Sequence, residues 1–209
     1  MRHIQLNKYI VVISISIFFL ILNGCCKNVI NGTFYISEEA RKYMPDTTIQ
    51  SFQMIDQNGI TDGFYINDRN WYSTHLYMNQ WSEPDRCGEG FKTEDFGIAY
   101  SSTINDIFFM IVIRAQPEGT EFEIEWNQLD RIKYNFKTKE ITSEQIADIQ
   151  FIETIEINNK VYENVILFNL ENILSDIDNQ TPSKIYIAET YGLIKYETQN
   201  GIILERVVK

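Results

Sequence analysis

Two histidines, three cysteines and 29 carboxylates are the groups in this 209-residue chain whose types suit acid–base or nucleophilic chemistry. His3 falls in a short basic start, so His75 is the one histidine in the body of the chain. A Ser–His–Asp or Cys–His mechanism would have to run through it, with Cys87 as thiol or Ser82 or Ser101 as hydroxyl. Neither serine sits in a nucleophile-elbow sequence, and twelve residues with an intervening loop separate His75 from Cys87. Histidine-based catalysis is not expected. Acids are so numerous that adjacent pairs arise by number alone, so a carboxylate-dependent hydrolase is only a second alternative. Glu83, Asp85 and Glu89, or Asp56, Asn58 and Asp62, offer oxygens for Ca²⁺. The EF-hand spacing would need an oxygen ligand where Ile60 stands and an acid at the twelfth position. No Cys/His cluster has zinc spacing. No metal and no cofactor is expected, and the chain reads as more a binding protein than an enzyme.

The best binding candidates are Trp71, His75, Tyr77 and Trp81. In a strand, side chains alternate between faces. Trp71, Ser73, His75 and Tyr77 therefore share one face, and Tyr72, Thr74, Leu76 and Met78 share the other. Flat rings with polar tips suit sugars, amphipathic ligands and protein partners. The competing account is core packing, because a chain with 13% aromatic residues needs rings for its interior.

Stepping along the chain, Ser37 caps one or two helical turns over 38–43, inside a tether that runs to Pro45. Asp46-Thr47-Thr48 resembles the acceptor triplet of some bacterial O-glycosylation systems and reads equally as a strand-entry turn. Strands are expected at Ser51–Asp56 and Ile60–Ile66 about Asn58-Gly59, a strong hairpin signal. A third follows at Trp71–Met78, then a Pro/Gly loop over Ser82–Gly90. Phe96–Ile104 and Ile107–Arg114 come next. The latter (Ile-Phe-Phe-Met-Ile-Val-Ile) lacks polar alternation and is expected to be buried on both faces.

Beyond Gly119, Phe122, Ile124 and Trp126 alternate with glutamates, while Ile132, Tyr134 and Phe136 alternate with Arg131, Lys133 and Asn135. Both apolar sets must face one way, which demands an odd number of loop residues. Pairing Trp126 with Asp130 sets Glu125 against Arg131 and Glu123 against Lys133; pairing Trp126 with Ile132 keeps the same parity. Thr142–Ala147 reads as a helical turn. Ile149–Ile157 and Val161–Leu170 form a hairpin about Asn158-Asn159, and Glu171–Ser183 is a connection or short helix. Lys184–Thr190, Leu193–Glu197 and Ile202–Val207 close the pattern. The expected fold is all-β: one antiparallel meander of about eleven strands over residues 46–209, curved into a sheet, half-barrel or barrel that closes or covers its edges.

The chain's net charge is −11, and residues 1–24 hold two of its 18 Lys+Arg and none of its acids. No nucleic-acid partner and no polybasic grip on anionic lipid is expected. Arg2, His3 and Lys8 precede an apolar run from Ile10 to Leu22, too short for the roughly 20 residues of a membrane span but the length of a signal-peptide core. Leu22-Asn23-Gly24-Cys25 at its end resembles the lipobox of bacterial lipoproteins. That resemblance implies a signal peptide over 1–24, diacylglycerol on the Cys25 thiol, palmitate or a similar acyl group on the new amine, and a lipidated tether over 25–45. Several chains are needed because each buried CH₂ contributes about 0.8 kcal/mol and one chain binds only reversibly. Cys26 and Cys87 either pair as a disulfide or remain two free thiols.

Val161–Val165 and Ile185–Glu197, with the bend Tyr191-Gly192-Leu193, resemble the C-terminal part of many uncharacterised β-rich envelope lipoproteins. This likeness implies no chemistry. The expected function is a membrane-anchored envelope lipoprotein with a non-enzymatic binding or structural role, in the outer rather than the inner membrane. The main alternative is a carrier or sensor of lipid or another apolar ligand within the curved sheet. Partners are the membrane, through Cys25, and a protein, glycan or apolar ligand.

Overall fold

A computed structural model describes residues 29–73, 89–126, 130–143, 148–170 and 181–207. Among them are thirteen strands and one short helix: β1 (Val29–Phe34), α1 (Glu38–Arg41), β2 (Ser51–Asp56), β3 (Thr61–Ser73), β4 (Glu89–Ser102), β5 (Phe108–Gln116), β6 (Gly119–Trp126), β7 (Asp130–Asn135), β8 (Ile141–Ser143), β9 (Asp148–Ile157), β10 (Lys160–Asn169), β11 (Pro182–Ala188), β12 (Gly192–Thr198) and β13 (Ile203–Val207). The chain divides into two units. Residues 1–33 and 76–92 form the smaller, whose described residues lie in β1 and the start of β4, strands that pair with each other. Residues 34–75 and 93–209 form the larger.

The larger unit is the expected antiparallel meander, with more strands than expected. Its order is β8-β7-β6-β5-β4-β3-β2-β13-β12-β11-β10-β9, so two meanders join where β13 pairs with β2. The edge strands β8 and β9 are consecutive in sequence, with only residues 144–147 between them. Twelve strands at about 4.8 Å spacing would span about 50 Å if flat, and four residues reach less than half of that. The sheet therefore curls until its edges approach, and the rings of Tyr134 in β7 and Phe151 in β9 lie 5.3 Å apart. The result is a nearly closed barrel.

Rings fill its interior. Phe52 stacks on Phe64 at 5.6 Å, Tyr100 on Phe109 at 5.0 Å and Phe109 on Tyr196 at 5.5 Å, while Phe122 stacks on Phe168 at 5.5 Å across the barrel. Each fully buried ring of this kind contributes about 2–3 kcal/mol of hydrophobic stabilisation. A smaller apolar cluster lies on the outer face, where Val165, Leu167, Tyr186, Ala188 and Ile194 meet Tyr162. Asn164 has φ 50°. It breaks the alternation along β10, so Tyr162 joins the odd-numbered Val165 and Leu167.

The β6–β7 register is one of the two that parity allowed: Trp126 pairs with Asp130, Glu125 with Arg131 and Glu123 with Lys133. The hairpin at Asn58-Gly59 forms, with Gly59 at φ 83°, and the one at Asn158-Asn159 has both residues at positive φ, as a type I′ turn requires. Other expectations need correction. Residues 61–66 and 71–73 belong to one strand, β3, which continues through an irregularity between Ile66 and Asp68; residues 74–78 lie outside the described ones. β5 alternates rather than being buried on both faces, with Phe108 53% exposed, because only every second residue (Phe109, Ile111, Ile113 and Ala115) points inward. Ile141–Ser143 is a strand, where a helical turn was expected from Thr142.

The tether also changes. Ser37 caps α1 through its hydroxyl, as expected, but Ile36, Ala40 and Tyr43 are buried in the barrel core, Tyr43 packing on Phe122 and Phe136. The domain thus begins by Phe34 rather than at residue 46. This segment is tied to both sides of the barrel: Arg41 pairs with Glu94, and the Thr190 N–H donates to the Lys42 carbonyl at 2.8 Å.

Candidate functional site

His75, Tyr77, Trp81, Cys25, Cys26, Cys87, Ser82, Glu83 and Asp85 lie outside the described residues. Trp71 stands in β3, its backbone in register with Phe96. Ser101 lies near the C-terminal end of β4, and its hydroxyl accepts from Asn67 Nδ2 at 2.7 Å.

The proposed calcium triplet does other work. Asp56 Oδ1 accepts from the N–H groups of Asn58 and Ile60 and holds the β2–β3 turn. Asp62 is buried, and its carboxylate accepts from the Thr103 N–H and hydroxyl (3.0 Å each), the Ile104 N–H (3.0 Å), the Asn105 N–H (3.2 Å) and Asn105 Nδ2 (2.8 Å). Burial pushes its pKa up, but the donors from Asn105, Ile104 and Thr103 outweigh it and the pKa falls. That direction is opposite to the one a general acid needs. No group of three or more His, Cys, Asp or Glu among the described residues could hold a metal ion.

Two buried charge systems remain. On the outer face, Arg114 Nε meets Asp95 Oδ2 at 3.0 Å and Nη1 meets Glu123 Oε2 at 3.6 Å, while Arg131 and Lys133 reach Glu123 at 3.7 and 3.8 Å. The cross-strand register of β4 to β7 builds this ladder, and its charges answer one another.

The second system is Arg206. Strand parity puts it on the face of Leu204, which is fully buried in the core. Pairing of β13 with β12 runs from Ile203↔Glu197 to Glu205↔Lys195 and stops, whereas pairing with β2 continues through Arg206↔Met54 and Val207↔Gln53. The two neighbours of β13 therefore part company, and the guanidinium fills the split. Arg206 Nη1 donates to the carbonyls of Tyr191 (2.5 Å) and Leu193 (3.2 Å), which β13 leaves unpaired. Its Cζ lies 4.2 Å from the Phe52 ring centroid and 5.9 Å from that of Tyr191. Lys160 Nζ stands 3.8 Å from the Tyr191 centroid, so two cations share that ring.

Arg206 is 5% exposed. No carboxylate among the described residues lies within ion-pair distance of it, and burial lowers its pKa, with only Tyr162, Tyr100 and Tyr191 acting the other way. Tyr162, edge-to-face with Tyr191 at 5.2 Å, has a buried hydroxyl with no hydrogen-bond partner among the described residues, and burial raises its pKa.

Arg206 lines a cleft of about 510 Å³ with Ile49, Phe52, Tyr65, Tyr191 and Val207. A second depression, about 520 Å³, continues from it past Tyr65 and Ile49 towards Thr47 and Asn67. Next to Tyr191, Gly192 has φ 67°, which favours glycine, and a Cβ there would lie 2.6 Å from Tyr100 Oη. None of the residues expected to bind a ligand lines this cleft. The signal was present in Ile203-Leu204-Glu205-Arg206-Val207, whose alternation sends Arg206 to the same side as Leu204.

No family model matches the chain, and neither a curated protein nor a solved structure matches it.

Proposed function

We propose that this chain is a lipid-anchored protein of the bacterial cell envelope, held through acyl chains on Cys25 in the outer membrane, whose barrel binds a ligand rather than catalysing a reaction. The observation that carries the binding role is the cleft at the β12–β13 split, where a buried guanidinium and several rings converge. Stacked rings occupy the interior of the described barrel, which favours recognition at this rim over carriage of an apolar ligand inside the sheet. The anchor rests on the lipobox resemblance at Leu22–Cys25 together with the chain's acidic balance, which offers no electrostatic hold on an anionic membrane.

Replacing Cys25 with Ser in the native bacterium tests the anchor. Fractionation should move the protein from the membrane pellet to the soluble fraction. A Cys25→Ser protein that still sediments with membranes and resists salt extraction removes the lipid anchor from the proposal.

A further inference from the structure

We propose that the cleft at Arg206 is a binding site for a small amphipathic carboxylate, with the carboxylate on the free edge of the guanidinium and the apolar body across Phe52, Tyr65 and Val207. This deepens the binding role above and rests on it.

The guanidinium itself selects the headgroup. Arginine carries five N–H donors in a rigid fork. Both hydrogens of Nη1 go to the carbonyls of Tyr191 and Leu193, which turns that end of the group into the wall. Nε and Nη2 keep three hydrogens and meet no acceptor among the described residues. These two nitrogens form the side edge of the fork, whose parallel N–H bonds match the two oxygens of a carboxylate. The ring of Phe52 covers a face of the guanidinium at 4.2 Å, and Arg206 is one of the residues that line the cleft.

Charge points the same way. A cation that is 95% buried without a counter-ion is costly, and among the described residues Arg206 has no carboxylate such as Arg114 finds in Asp95. A ligand monoanion supplies one. A phosphate dianion would need a second cation on its oxygens, whereas Lys160 is placed over the Tyr191 ring, and the chain's overall charge of −11 opposes a doubly charged ligand more strongly.

The walls select the body. Ile49, Phe52, Tyr65, Tyr191 and Val207 give the cleft a mainly apolar lining, and its volume of about 510 Å³ lies within the roughly 300–1,000 Å³ of ordinary small-molecule sites. Tyr65 remains 48% exposed, so a body lying against it would bury apolar surface that water now covers.

Calorimetric titration of the mature Cys25→Ser chain with decanoate, decyl phosphate and decyltrimethylammonium, each below its micelle concentration, tests this. Decanoate should bind one to one, at least tenfold more tightly than either of the others. Arg206→Gln should lose that preference, the body's contacts alone remaining. Should Arg206→Gln fail to fold, Gln53→Glu sets a carboxylate on the rim without touching the Arg206 hydrogen bonds and should weaken decanoate by a similar factor. Equal binding of all three amphiphiles, tighter binding of the phosphate, or unchanged decanoate affinity in the folded variants overturns the proposal. A protein that ignores all three amphiphiles yet is retained on a glycan array loses the carboxylate and keeps its binding role. Silence in both assays removes both.

Discussion

Arg114 and Arg206 are two partly or wholly buried arginines on opposite faces of one sheet, and their surroundings treat them differently. Arg114 lies between Asp95 and Glu123, acids that the strand register delivers to it from both sides. Arg206 is more deeply buried and has two backbone carbonyls and the faces of rings in place of a carboxylate. In the first region, buried charge holds strands in register; removing one partner strands the other. In the second, the protein positions a cation and leaves part of its bonding capacity unused. The difference separates a structural charge from one set up to meet something outside the chain.

Four variants at three sites measure that difference, each by urea denaturation. The largest effect belongs to Asp62, the most fully bonded charge near this wall. Asp62→Ala leaves five donors in the 103–105 loop without their acceptor and should cost about 3 kcal/mol. Because its folded pKa lies below the unfolded value of about 3.9, its contribution is fully present above that pH and is lost as pH falls through the folded pKa. Asp62→Asn should therefore flatten the acid limb of the stability profile below about pH 4. An unchanged limb assigns the acid sensitivity elsewhere.

Next comes Arg114→Ala, which leaves Asp95 buried without its cation and should cost about 2 kcal/mol, less than a fully enclosed pair because Arg114 retains 23% exposure. The smallest effect is expected for Arg206→Met. Two carbonyls lose a donor, but the desolvated charge disappears with them, so the change should stay within about 1 kcal/mol. A cost equal to that of Arg114→Ala would erase the contrast and make Arg206 a structural wedge between β12 and β13.

The legible parts of this fold were those where side-chain type follows side-chain direction. Along β6 and β7, Glu, Lys and Arg alternate with Phe, Ile and Tyr, so parity alone reduced the register to two choices and the structure adopted one of them. In β5 all six residues from Phe108 to Ile113 are apolar, so the alternation of direction left no trace in residue type. The segment 34–45 was misassigned because α1 is a single turn, too short for a helical period to show that Ile36, Ala40 and Tyr43 face inward. Arg206 was hidden by the common expectation that a strand arginine faces water. The β2–β13 ladder was beyond sequence reasoning altogether, since nothing local in either strand names the other.

That ladder has a consequence for how the chain comes to be folded. Gln57 beside the β2–β3 turn bonds to Ile203 across 146 residues of sequence, and the whole second meander joins the first through this seam. Contacts so distant along the chain form slowly. During synthesis β2 keeps an open edge until β13 has been made, so the N-terminal meander cannot complete its sheet alone. Because the two halves of the seam leave the ribosome so far apart in time, closure of the sheet waits for the last strand of the chain.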